Sequence, residues 1–176
     1  MCDSGGATVS MNKTHLANAL IAVAIIVCIS SCTGTTLNEY PSKSQDETAI
    51  IAVLKQYQNA KNQLDITGYL AVLHPEGEFM LGGDQLVSKE RLEADLPVFW
   101  ERLRSSDPSF YPISRESMNG NYCASGTFID PEITIADEKA EVIMTFSKGF
   151  WHIDQLVRLR REQGRWWIDR LDWVQN

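Results

Sequence analysis

HIDQLVRLRREQGRWWIDRL, residues 152–171, carries the pattern that decides the fold. Two apolar-rich runs flank Gln163-Gly164, a turn signal, so the stretch reads as a β-hairpin with strands over residues 152–160 and 165–174. Val157 and Leu159 alternate with Arg158 and Arg160, which marks one buried and one solvated face. Arg158, Arg160, Arg161, Arg165 and Arg170 are then most simply the wet side of a half-buried hairpin; contact with an anionic ligand or a phospholipid headgroup is the sharper alternative. Trp166 and Trp167 are neighbours and must point to opposite faces, so both sides of the hairpin need covering.

Upstream, alternation predicts further strands near residues 113–118, 122–129 and 140–146, separated by turns at Asn119-Gly120, Asp130-Pro131, Asp137-Glu138 and Lys148-Gly149. Neighbours this closely spaced are expected to pair antiparallel. Before them come helical signals. Ser44-Gln45-Asp46-Glu47 fits a capping box and opens a helix to about Asn62, with Ile50, Ile51, Val53, Leu54, Tyr57 and Leu64 as its apolar stripe. Asp65 caps a shorter helix that buries Ile66, Tyr69, Leu70 and Leu73 and ends at Pro75. A short strand is expected over residues 78–81 and a turn at Gly82-Gly83-Asp84. Ser88 caps a third helix burying Leu92, Leu96, Phe99 and Leu103, which Pro97 should kink or divide. The fold class is therefore α+β: three N-terminal helices packed on a curved antiparallel sheet.

The remaining residues set the compartment. The 176-residue chain has 16 basic and 23 acidic side chains, a formal charge of −7 and a pI near 4.9, so it offers no broad positive field for phosphate backbones and no nucleic-acid partner is expected. From Met11, the expected true start, a short polar stretch with Lys13 and His15 leads into an apolar run over residues 16–29 and then small residues. That run is shorter than the roughly 20 residues that cross a bilayer as a helix, which favours a cleaved signal peptide over residues 1–31. Ile29-Ser30-Ser31-Cys32 resembles the bacterial lipobox, and the resemblance implies diacylation of Cys32, which becomes the new N-terminus and anchors the protein to a membrane. In Gram-negative lipoproteins Asp directly after the cysteine favours inner-membrane retention; here that residue is Thr33, so in a Gram-negative cell a position on the outer membrane facing the periplasm is expected. Residues 32–44 are read as the lipidated cysteine and a polar tether spanning up to about 40 Å, and residues 45–176 as the domain. After processing, Cys123 has no intramolecular partner, and without a neighbouring base it reads as a small buried apolar residue rather than a nucleophile.

The order of long helix, short helix ending in Leu73-His74-Pro75, strand, helix and the final hairpin resembles the nuclear transport factor two-like superfamily, closest to its SnoaL-like and ketosteroid-isomerase-like branch. The resemblance covers about residues 45–176 and implies a cone-shaped α+β barrel with a deep, mostly apolar pocket. The superfamily uses that pocket for isomerases, dehydratases and cyclases, and also for plain ligand binding or partner docking, so fold alone does not select an activity. By the same resemblance Tyr57 falls on the first-helix tyrosine that donates to a developing enolate oxygen, and Asp154 on the protonated acid that donates the second bond. The catalytic base falls at about Leu81, which accepts no proton; Asp84 is the nearest replacement, and His152, on the strand face of Asp154, is the other candidate.

Each residue also has a plainer reading: Tyr57 as core aromatic, Asp154 as partner of a hairpin arginine, His74 as a helix C-cap. Tyr57, Trp100, Tyr122, His152 and Asp154 are the expected pocket lining. With two histidines in the mature chain and no close His or Cys spacing, no metal and no cofactor are expected. The first expectation is a lipoprotein binding a small apolar or amphipathic molecule without assigned catalysis. A pocket enzyme of isomerase or lyase type is the alternative, and an envelope protein–protein interaction module the third. Trp151, Trp166, Trp167 and Trp173 crowd the last strands, and a homodimer through the outer sheet face is the expected assembly.

Overall fold

The computed structural model describes residues 34–80, 86–105, 126–148 and 151–173. The signal segment, Cys32, Leu81, the Gly82-Gly83-Asp84 turn, Tyr122, Cys123, the strand at 113–118 and the Asn119-Gly120 turn lie outside the described residues. In chain order the elements are α1 (Gln45–Gln63), α2 (Ile66–Leu70), β1 (Leu73–Met80), β2 (Leu86–Ser88), α3 (Lys89–Ser105), β3 (Thr127–Ala136), β4 (Lys139–Lys148), β5 (Trp151–Glu162) and β6 (Arg165–Trp173).

The helix starts follow their caps. Ser44 Oγ accepts the Glu47 amide at 3.0 Å, and the Glu47 carboxylate returns to the Lys43 amide at 2.7 Å, so Asp46 and Glu47 also place negative charge at the positive helix end. Asp65 caps α2 through the Gly68 amide, and Ser88 caps α3 through the Arg91 amide. α3 runs unbroken through Pro97, which lies on the exposed side where water can satisfy the carbonyl it frees.

The six strands form one open sheet in the order β2-β1-β6-β5-β4-β3. β3, β4, β5 and β6 pair antiparallel in sequence, as the spacing predicts, with two-residue turns at Asp137-Glu138 and Gln163-Gly164. Gln163 and Gly164 both have positive φ, 51° and 77°, the pair that a twisted two-residue hairpin requires. The sheet is nevertheless mixed, because β1 lies parallel to β6, with Leu73 beside Ile168. This corrects the all-antiparallel expectation: α1 and α2 precede β1, so β1 enters the sheet from the helical layer rather than through a hairpin.

Two local expectations also change. Pro75 does not end a helix. α2 stops at Leu70, and His74 and Pro75 belong to an eight-residue strand that is already paired at Leu73. Asp130-Pro131 is not a turn either, since β3 continues through it. Ile129 pairs with Thr145 and Glu132 with Ile143, so Asp130 and Pro131 together oppose Met144, a bulge with Asp130 at φ 52°. Proline has no amide for a ladder, and an edge strand tolerates that loss.

α1 lies against β6 and β3, and α3 against β1. Ile50, Leu54, Tyr57, Leu92, Leu96 and Trp100 from the helices meet Phe128, Val142, Met144, Phe146, Val157, Leu159 and Ile168 from the strands. Asp46, in the first turn of α1, accepts the Trp166 indole N–H at 3.1 Å and pairs with Arg161 at 2.9 Å, fixing that helix end to the β5–β6 hairpin.

Candidate functional site

Strand alternation sorts the side chains of β5. Gln155, Val157 and Leu159 are buried towards the helices, while Asp154, Leu156, Arg158 and Arg160 are half-buried on the other face. Gln155 is 3% exposed and stands beside Met144 of β4, itself 1% exposed, so a polar amide sits inside the apolar layer.

Around it the helices place a string of aromatic rings. Tyr57 of α1 lies 5.4 Å from Tyr69 of α2 between ring centroids and stacks on Phe128 of β3 at 5.7 Å. Tyr69 meets Trp100 of α3 edge-on at 5.3 Å, and Phe128 meets Phe146 of β4 at 5.3 Å. The Tyr57 hydroxyl hydrogen-bonds with the side chains of Tyr69 and Gln155; burial drives its pKa well above the ordinary tyrosine value, and those two bonds offset part of the rise. Tyr57 is thus a neutral hydroxyl at any physiological pH. Lys61, one helical turn after Tyr57 and 1% exposed, brings its ammonium to 4.4 Å from the Phe146 centroid, 5.5 Å from Phe128 and 5.9 Å from Tyr57. A desolvated cation held by aromatic faces gains on the order of 2 kcal/mol from such contacts.

Two atoms of this shell stay without a hydrogen-bond partner among the described residues: Trp100 Nε1, a donor, and Gln155 Oε1, an acceptor. Leaving a buried polar group unmade costs about 1–3 kcal/mol.

The sequence-predicted residues divide accordingly. Tyr57 and Trp100 belong to the inner cluster. Asp154 does not: it faces the opposite side, accepting the Thr145 hydroxyl at 2.7 Å across the β4–β5 ladder, and His152 on the same side is exposed. The expectation that Asp154 and His152 share the pocket with Tyr57 is corrected by strand phase, because Gln155 takes the inward position. Asp84 and Tyr122 lie outside the described residues. Sequence reading missed Lys61 and Gln155, although both were signalled: Lys61 continues the stripe of Leu54 and Tyr57 at helical spacing, and Gln155 is in phase with Val157 and Leu159.

The outer face has the bland character expected of the arginines. Arg158 pairs with Glu141 at 2.9 Å, Arg170 with Asp172 at 3.0 Å and Glu78 at 3.5 Å, and Arg160 with Asp169 and Glu76. His74 is buried here rather than capping a helix. Its Nδ1 accepts the Glu76 amide at 3.2 Å, which leaves Nε2–H to donate to Glu162 at 2.7 Å. Trp167 lies on this side, edge-on to His74 and under the Arg165 guanidinium at 3.8 Å, whereas Trp166 is buried on the inner side. No three His, Cys, Asp or Glu side chains among the described residues are grouped to hold a metal ion.

No family model matches the chain, and no curated protein matches it. Solved structures do. A cystatin-like-fold protein of unknown function from Nostoc punctiforme superposes with a TM-score of 0.51 at 15% identity, covering 75% of this chain and 92% of its own. An NTF2-like protein of unknown function from Pseudomonas putida KT2440 gives a TM-score of 0.52 at 14% identity, covering 73% and 84%. At such identities the likeness speaks for the fold alone: the chain has the NTF2-like, cystatin-like α+β fold, with helices packed on a curved six-stranded mixed sheet that does not close.

Proposed function

We propose that the protein is an exported, lipid-anchored carrier or sensor whose inner sheet face binds a small amphipathic molecule, with no catalysis assigned. The observation that carries this reading is that Trp100 Nε1 and Gln155 Oε1 lack a partner among the described residues, inside a shell built mainly of aromatic rings. A ligand that offers an acceptor to the Trp100 indole and a donor to the Gln155 amide oxygen would satisfy them. Its apolar body would lie against rings such as Phe128 and Phe146, and Lys61 supplies positive charge to the same shell. The lipid anchor rests on Ile29-Ser30-Ser31-Cys32 and the apolar run before it. The isomerase-type reading is weaker, because its two donors had to share one dry space and Asp154 faces away from Tyr57.

Thermal-shift screening of the protein against a small-metabolite panel tests the binding reading. A ligand that raises the melting temperature of the wild type, and fails to do so in Gln155→Leu and Trp100→Phe, supports it. A shift that survives both substitutions, or an unresponsive wild type, counts against it.

Assembly belongs to the same proposal. Ile143 is 42% exposed on the outer face beside half-buried Leu156, an apolar spot suited to a second copy of the chain. A dimer mass in light scattering that falls to the monomer in Ile143→Lys supports this, and a monomeric wild type refutes it.

A further inference from the structure

The segment expected to act as a free tether is bound to the domain from its third residue onward. The Thr35 amide donates to Asp130 Oδ1 at 2.7 Å, and the Asp130 amide donates to the Thr35 carbonyl at 2.8 Å. Thr36 forms an antiparallel bridge with Ile129. The chain then turns at Thr36–Glu39, where the Glu39 carboxylate accepts both the amide and the hydroxyl of Thr36, and drives Leu37 into the core at 1% exposure. These contacts use the groups that the β3 bulge releases: Asp130, left out of the β4 ladder, bonds to Thr35 instead. A fully buried leucine adds about 1.5–3 kcal/mol to the attachment.

Only Thr33 and Gly34 separate Cys32 from this docked segment. Three extended residues reach about 11 Å at most. We infer that the domain is held against the bilayer by its β3 edge, with the Asp130 bulge about one nanometre from the lipid surface and the β2 edge turned away from it. The inference rests on the lipid-anchor reading above and adds the surface that faces the membrane. β2 is the opposite edge of the sheet, five strands away from β3 in the ladder. The β3 strand carries Asp130 and Glu132 and no Lys or Arg, so attachment comes from the acyl chains and not from attraction to anionic headgroups.

The test uses the full chain, processed and acylated in cells and reconstituted into phosphatidylcholine vesicles that carry a headgroup-linked fluorescent acceptor. In a Cys123→Ser background a donor dye is attached at Glu132→Cys, or at Glu90→Cys beside β2; both positions are exposed. Energy transfer several-fold stronger from position 132 than from position 90, reduced to a common low level by a twelve-residue Gly-Ser spacer inserted after Gly34, is the expected result. It should be unchanged between low and high salt. Equal transfer from the two positions, or a spacer without effect, overturns the inference while leaving the anchor intact. Intact mass separates the two claims: a protein lacking the diacylglyceryl increment, or still bearing residues before Cys32, removes the lipid-anchor reading itself.

Discussion

The two faces of β5 differ by one residue in phase and by nearly everything in chemistry. On the outer face Asp154 bonds to Thr145 and the arginines are paired with Glu141, Asp169, Asp172 and Glu76, all at least partly solvated. On the inner face there are few polar atoms, and two of them lack a partner among the described residues. Charge density therefore does not mark where polar groups go unmet in this molecule. The outer face is crowded with ions that water and each other already satisfy, each exposed pair contributing about 0–1 kcal/mol. The inner face holds a donor and an acceptor that no described residue serves, and the proposed binding reading rests on that asymmetry.

Substitutions can break this comparison from either side. The largest expected effect is from Trp100→Ala, which removes a fully buried indole from the inner shell and should lower unfolding stability by about 3–5 kcal/mol in a urea titration. Tyr57→Phe deletes a hydroxyl with two partners and should cost about 1–2 kcal/mol at neutral pH. It should also change the alkaline limb. Because burial raises the folded pKa of Tyr57 above its ordinary value of 10.0, its contribution is intact below pH 10 and is lost as pH rises beyond it, where the unfolded chain ionises first. Stability against pH should therefore fall less steeply above pH 10 in Tyr57→Phe than in the wild type.

Gln155→Leu sharpens the contrast, because it separates folding from binding. It loses the bond to Tyr57 but also removes a buried unpartnered oxygen, so stability should stay within about 1 kcal/mol of the wild type while ligand-induced thermal shifts disappear. Asp154→Asn, one residue away, should change stability by less than about 1 kcal/mol and leave ligand shifts intact. A reversed outcome for these two neighbours would mean that the faces are assigned the wrong way round.

Much of this was legible in the residues. The capping signals of Ser44, Asp65 and Ser88 and the Gln163-Gly164 turn are local chemistry, and each lies where that chemistry requires. What escaped were features settled by partners distant in sequence. Pro75 looks like a helix stop until Leu73 finds Ile168 of β6, and Asp130-Pro131 looks like a turn until Thr35 bonds to the bulge. Thr33 to Ser44 is polar enough to read as a tether, yet a single leucine within it, Leu37, finds the core. The site was half legible. Tyr57 and Trp100 follow from the helical stripe, but Asp154 was drawn inward by its chemistry although the period of β5, marked by Val157 and Leu159, puts Gln155 there.

The most direct test is native mass spectrometry of the full protein released from its membrane in mild detergent. A small molecule bound to the wild type and to Asp154→Asn, and absent from the Gln155→Leu and Trp100→Phe variants, is the predicted result. A wild type that carries nothing, or a molecule lost with Asp154→Asn and kept by Gln155→Leu, would contradict the placement of function on the inner face.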